Sequence, residues 1–125
     1  KKENDRSTND PRIKPIANNL GGDLVGITQA IEDGYFKKLG TNTIWISPIT
    51  KNAEGAWGLW DKGGDTSMFS GYHGYWPTSL RTIDDRFGTE EDFKNLLKSS
   101  LYKNILCFTN VPSSKRFLLS VIVIK

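Results

Sequence analysis

The chain is poor in the residues that most often carry chemistry. Among its 125 residues there is one cysteine, Cys107, and one histidine, His73. A single thiol excludes an intrachain disulfide and says little about compartment. One imidazole and one thiol also lack the ligand spacing of a zinc site, so no metal ligands are assigned. No run of about 18 apolar residues occurs, so no membrane-spanning helix is expected. Neither sign of charge dominates, with 17 Lys and Arg against 14 Asp and Glu. The basic residues are scattered, apart from pairs such as Lys1-Lys2 and Lys37-Lys38. A nucleic-acid binder concentrates them on one face, so a solvated surface is the better reading, with neither nucleic acid nor membrane as partner.

What is present is a polar-leaning globular composition, 37% apolar and 25% charged, on a chain long enough for one small domain. The first residue is Lys1. A removed leader and an internal piece both fit that start. Residues 1–20 are rich in Asn, Asp and Pro and read as an extended lead-in. Residues 21–104 carry the periodic patterns of a folded unit. Residues 105–125 end in an apolar run, Phe117 to Ile124, and read as a divergent tail.

Within the middle portion Gly21-Gly22-Asp23 opens a helix, with Asp23 as N-cap. Leu24, Ile27, Ile31, Tyr35, Phe36 and Leu39 recur at helical spacing, and Gly40 is a natural stop. Gly34 weakens the interior of that helix. Thr43 to Ile49 is rich in β-branched and aromatic residues. It reads as a strand buried on both faces, with Trp45 in the core. Pro48 marks its end. Thr89 and Asp92 make a capping-box pattern, with Phe93, Leu96, Leu97 and Leu101 as the buried stripe of a second helix. Helix, strand, long loop, helix is the order of a right-handed β/α unit, so the fold class is α/β.

The loop, residues 50–82, is Gly-rich and holds Trp57, Trp60 and Trp76. A loop of this length in a compact domain is usually functional. Its centre is Tyr72-His73-Gly74-Tyr75-Trp76-Pro77. Aromatic faces stack on the C–H faces of sugars, and fixed donors and acceptors meet their hydroxyls, so this mixture suits a carbohydrate subsite. Gly71 and Gly74 permit tight turns. Asp61, Asp65, Asp84 and Asp85 lie in or beside the loop. Loop carboxylates are usually solvated or structural, and a hydrolytic pair among them is disfavoured.

The YHGYWP stretch, together with Arg86-Phe87-Gly88-Thr89-Glu90-Glu91-Asp92-Phe93, resembles the α-amylase family of glycoside hydrolases. The likeness covers residues 21–98 well and 5–20 loosely, where Asp5-Arg6 and Asn9-Asp10-Pro11 look like a worn family segment. Ile31-Glu32-Asp33-Gly34-Tyr35 is most similar to the cyclodextrin-forming branches. An ordered set of motifs is more specific than any one of them.

The resemblance implies the N-terminal β/α units of a (β/α)8 barrel, a partial TIM barrel. It implies a retaining enzyme on α-glucans such as starch and maltooligosaccharides. In the family the YHGYWP loop lies at the minus-one subsite. His73 would then bond the sugar's 6-hydroxyl and Tyr75 would stack on the ring. Tyr72 and Trp76 would shape the loop floor, and Trp57 and Trp60 would line outer subsites or pack the loop. The family's three catalytic carboxylates follow later barrel strands, and none has a counterpart in this sequence.

The third strand of the family ends in a segment holding Asp, Asn and His. Its counterpart here is Phe108-Thr109-Asn110-Val111-Pro112-Ser113-Ser114, where hydroxyls stand in for the Asp, Asn and His. The chain alone is expected to be inactive. It reads as a fragment of such an enzyme that keeps part of the minus-one sugar subsite; the alternatives are a non-catalytic glucan-binding or interaction module, or one half of an enzyme completed by a complementing chain. No cofactor is expected. Calcium on Asp10 and Asp23, as in some relatives, competes with the helix-cap role of Asp23. The resemblance tilts location toward the secreted or periplasmic side.

Overall fold

The computed structural model describes residues 21–58 and 68–109. The readings made on the lead-in, on Trp60, Asp61 and Asp65, and on the chain beyond Thr109 lie outside the described residues.

Helix α1 spans Leu24–Glu32. The Asp23 carboxylate accepts the Gly26 N–H at 2.6 Å, satisfying a donor that the first turn leaves free. Leu24 and Ile31 are buried on one face. The expected longer helix does not form. Gly34 takes φ 73°, in the left-handed region, and starts a separate turn, α2, Tyr35–Lys38. That break destroys the 3.6-residue register, so Tyr35 and Leu39 point to solvent instead of extending the buried stripe. Only Phe36 returns to the core.

Strand β1 spans Thr43–Ile46 and pairs in parallel with the last strand, β4, Leu106–Thr109. Helix α3, Glu90–Tyr102, lies between them in the chain. The result is a β–α–β unit, with α1 and α3 packed together. Thr89 and Asp92 form the expected capping box. Leu24, Ile31 and Leu96 are each at most 1% exposed, and Ile44, Ile49 and Ile105 complete the core. Each such side chain contributes roughly 1.5–3 kcal/mol by leaving water. Leu101, expected in the stripe of α3, is exposed at the helix's last turn.

The two-sided burial of β1 is not observed. Ile44 and Ile46 face the helices, whereas Trp45 is 70% exposed. Residues alternate across a strand, and the described residues supply a helical layer on one face only. Trp45 therefore shares the open face with its pairing partner Phe108 and with Leu106. Strand β4 also begins inside the segment set apart by sequence as a tail.

Within the long loop a small antiparallel ribbon forms from β2, Trp57–Gly58, and β3, Met68–Phe69.

Candidate functional site

The carboxyl end of β1 leads through Ser47 and Pro48 into a segment braced by the chain that returns toward α3. Thr50 bridges Ile83 and Asn52 bridges Pro77. The bonds that brace it include Lys51 N–H to Thr82 O, Ala53 N–H to Trp76 O, and Asp84 N–H to Ile49 O, all between 2.8 and 3.0 Å. This frame carries the Tyr72–Trp76 stretch. The Gly74 N–H closes a tight turn on the Gly71 carbonyl at 3.1 Å. Gly74 has φ 82°, and a Cβ there would stand 2.5 Å from the Pro48 carbonyl oxygen. No other residue fits both the backbone angle and the close approach.

The turn gathers three aromatic side chains around His73. Tyr75 stacks on the imidazole at 5.9 Å between centroids, with planes 29° apart. Tyr72 and Trp76 meet it edge-on at 5.3 and 4.8 Å. Tyr72, Tyr75 and Trp76 are all exposed, while His73 is half-buried between them. The Tyr75 N–H donates to His73 Nδ1 at 2.9 Å. A nitrogen that accepts carries no proton, so the imidazole proton sits on Nε2 as a donor. Trp57, half-exposed on β2, donates its indole N–H to the Glu54 carbonyl.

Beneath this turn lies a cluster that sequence reasoning missed. Asp84 is fully buried. Its Oδ1 accepts the Arg86 backbone N–H and Nε, and its Oδ2 accepts the other arm of the Arg86 fork at 2.6 Å. Oδ2 also accepts the Asn52 N–H at 2.9 Å. Burial works to raise the Asp84 carboxyl. The bonds from Arg86 and Asn52 outweigh it and hold the group below its ordinary value. Asn52 then donates its side-chain amide to the Gly71 carbonyl, at the base of the turn. Asp84-Asp85-Arg86 is visible in the sequence, but its burial and its link to Asn52 are not.

The neighbouring Asp85 bonds to Lys51 at 2.8 Å, which lowers its carboxyl and raises the lysine. A glycosidase acid needs a raised value so that it carries a proton to donate. Asp84 and Asp85 are both held ionised by cations, so neither meets that need. Asp23 is committed to the helix cap, and among the described residues no three His, Cys, Asp or Glu side chains gather as metal ligands. Burial raises the Cys107 thiol, which holds it protonated.

A parallel β–α–β unit that displays an imidazole and aromatic rings beyond the carboxyl end of its first strand defines the class: a portion of a β/α domain, with its aromatic loop on the strand-end face. Comparison with known proteins gives the family. Residues 2–111 match the α-amylase catalytic domain, and the chain belongs to the α-amylase family of glycoside hydrolases. An α-amylase of Streptomyces lividans is 42% identical over 91 residues, which is 73% of this chain and 9% of that protein. A cyclomaltodextrin glucanotransferase of Thermoanaerobacterium thermosulfurigenes is 35% identical over 96 residues, 77% of this chain and 13% of that protein. Among solved structures, the γ-cyclodextrin glucanotransferase of alkalophilic Bacillus clarkii superposes with a TM-score of 0.66 at 28% identity, over 86% of this chain and 15% of that one. The α-amylase of Geobacillus thermoleovorans, solved with acarbose, gives 0.58 at 32% identity, over 82% of this chain and 18% of that one. The chain thus spans a small part of the relatives it matches.

Proposed function

We infer that the chain is part of an α-amylase-type catalytic barrel that acts on α-glucans, and that the Tyr72–Trp76 turn holds the sugar beside the bond to be cleaved. The observation that carries this is the bond from Tyr75 N–H to His73 Nδ1. It makes Nε2–H a fixed donor for a sugar hydroxyl. The exposed, stacked Tyr75 ring offers an apolar face at the same place. Tyr72 and Trp76 edge the imidazole and keep its plane in position. The chain alone does not turn over glucan, because retaining hydrolysis needs a nucleophile and an acid about 5–5.5 Å apart, and Asp84 and Asp85 are engaged elsewhere.

Titration of the purified chain with maltoheptaose tests the binding reading. Saturable binding in the millimolar range or tighter, lost in Tyr75→Ala, is the expected result. Its absence overturns the reading. Release of reducing sugar from starch by contaminant-free chain would overturn the claim of inactivity.

The exposed Trp45 on the open face of the β1–β4 pair supports a second reading, in which a complementing polypeptide covers that face. Sedimentation with the later barrel strands and helices of a related α-amylase supplied as a separate chain distinguishes the two.

A further inference from the structure

Asn52 sits where three parts of the site meet. It is 1% exposed. Its N–H is held by Asp84, and its carbonyl receives the far arm of Arg86. Its side-chain amide donates to the carbonyl of Gly71, the residue that opens the Tyr72–Trp76 turn. The next N–H in the chain, that of Ala53, donates to the carbonyl of Trp76, the residue that closes it. Both ends of the turn are therefore fastened to one two-residue segment, and that segment is fastened to a buried ion pair. Gly71 has no room for a side chain, because a Cβ there would lie 2.5 Å from the Asn52 amide nitrogen.

We propose that Asn52 is a positioning residue for glucan recognition: it transmits the rigidity of the Asp84–Arg86 pair to the His73 turn and so sets where Nε2–H and the Tyr75 ring stand. The inference rests on the binding reading above. Asn52 touches no sugar in this account and acts only through Gly71 and the turn. A loop of glycine and exposed aromatics has little packing of its own to hold a hydrogen-bond donor in place. Sub-ångström placement of such a donor matters for binding and for any later chemistry. A short amide suits the task because it bonds a carbonyl directly, without the rotamer freedom of a longer side chain.

The test uses the full chain, labelled with heavy nitrogen at histidine. His73 is the only histidine, so its two ring signals need no assignment. Wild-type chain should show the pattern of a proton on Nε2. In Asn52→Ala the pattern should move toward a mixture of tautomers, as the turn loosens and Tyr75 N–H leaves Nδ1. Maltoheptaose binding should weaken about tenfold, the loss typical of one buried hydrogen bond. Amide protection across Leu24–Glu32 and Glu90–Tyr102 should stay as in wild type, which separates a displaced turn from a lost fold. An unchanged tautomer pattern in a folded Asn52→Ala chain overturns the proposal. Should that variant not fold, Arg86→Lys, which breaks the two-armed grip on Asp84, reads the same ring signals, and an unchanged pattern there overturns it too. If wild-type chain does not bind maltoheptaose, the glucan reading fails, while the tautomer comparison still decides whether Asn52 positions the turn.

Discussion

The Tyr75 backbone N–H reaches back across Gly74 to Nδ1 of His73, so a main-chain group fixes the protonation pattern of the only imidazole in the chain. The bond needs Gly74 in the left-handed region, with Pro48 directly behind it. The direction of the Nε2 donor is thereby set by backbone geometry at the end of β1, with Tyr75 stacked on the imidazole and Tyr72 and Trp76 edge-on to it.

His73→Phe keeps a flat ring for Tyr72, Tyr75 and Trp76 to pack on and removes the acceptor. Amide exchange at Tyr75 should speed up about tenfold or more, because an isolated hydrogen bond of this kind contributes roughly 0.5–1.5 kcal/mol. Exchange at Phe36 and Leu96 should not change. Equal protection of Tyr75 in both proteins would show that the bond is not formed in solution.

Asp84 supplies the pH dependence. Its carboxyl is below the ordinary value in the folded chain, through Arg86 and Asn52 and against the pull of burial. Such a group contributes stability above its unfolded value of about 3.9 and loses it as pH falls through the lower folded value. Stability should therefore be flat near neutrality and fall in the acid range below about pH 4. Asp84→Asn should flatten that acid limb. At pH 7 it should cost about 3 kcal/mol, as expected when one partner of a buried ion pair is removed. Urea unfolding followed by circular dichroism at several pH values measures both effects. A variant with the wild-type acid limb would remove Asp84 as its source.

Local rules made α3 and the start of α1 legible. Thr89 with Asp92, and Asp23 before Leu24, are caps whose partners lie within three residues. The aromatic turn was legible for the same reason, since Tyr72 to Trp76 are neighbours in the chain. The clamp was not, because Asn52 meets Asp84 across 32 positions and no pattern in either segment announces the other. Trp45 was misread because composition reports that a strand is apolar but not which of its faces is covered. Gly34 carried a warning in the sequence. Its left-handed φ made the interruption complete, which propensity alone does not decide.

The open sheet face gives a contrast with the helix-covered core. Leu96→Ala removes a side chain with no exposure and should cost about 2–5 kcal/mol. Trp45→Ser, on the face where the described residues supply no helical layer, should cost under about 1 kcal/mol and should improve solubility, because it breaks up an apolar patch shared with Leu106 and Phe108. Chemical denaturation and light scattering on the two variants test this. A large loss of stability in Trp45→Ser would mean that the face is covered in solution.

Gly74→Ala brings the steric and conformational arguments to one atom. The new methyl would lie 2.5 Å from the Pro48 carbonyl oxygen, on a residue at φ 82°. Backbone at both places is fixed, Pro48 by its ring and burial and Gly74 by its bond to Gly71. The turn must therefore open to admit the methyl. Strain of this kind costs of order 1–3 kcal/mol if it is retained, and opening the turn avoids it by giving up the contact between Tyr75 N–H and His73. The variant should keep the α1–α3 core and lose maltoheptaose binding and Tyr75 protection together. Alanine at Gly22 is the control. That glycine also has a positive φ, 93°, but nothing lies within 4 Å of its Cβ position, so Gly22→Ala should carry a conformational cost without touching the site. If both variants bind equally well, the close approach to Pro48 does not hold the turn.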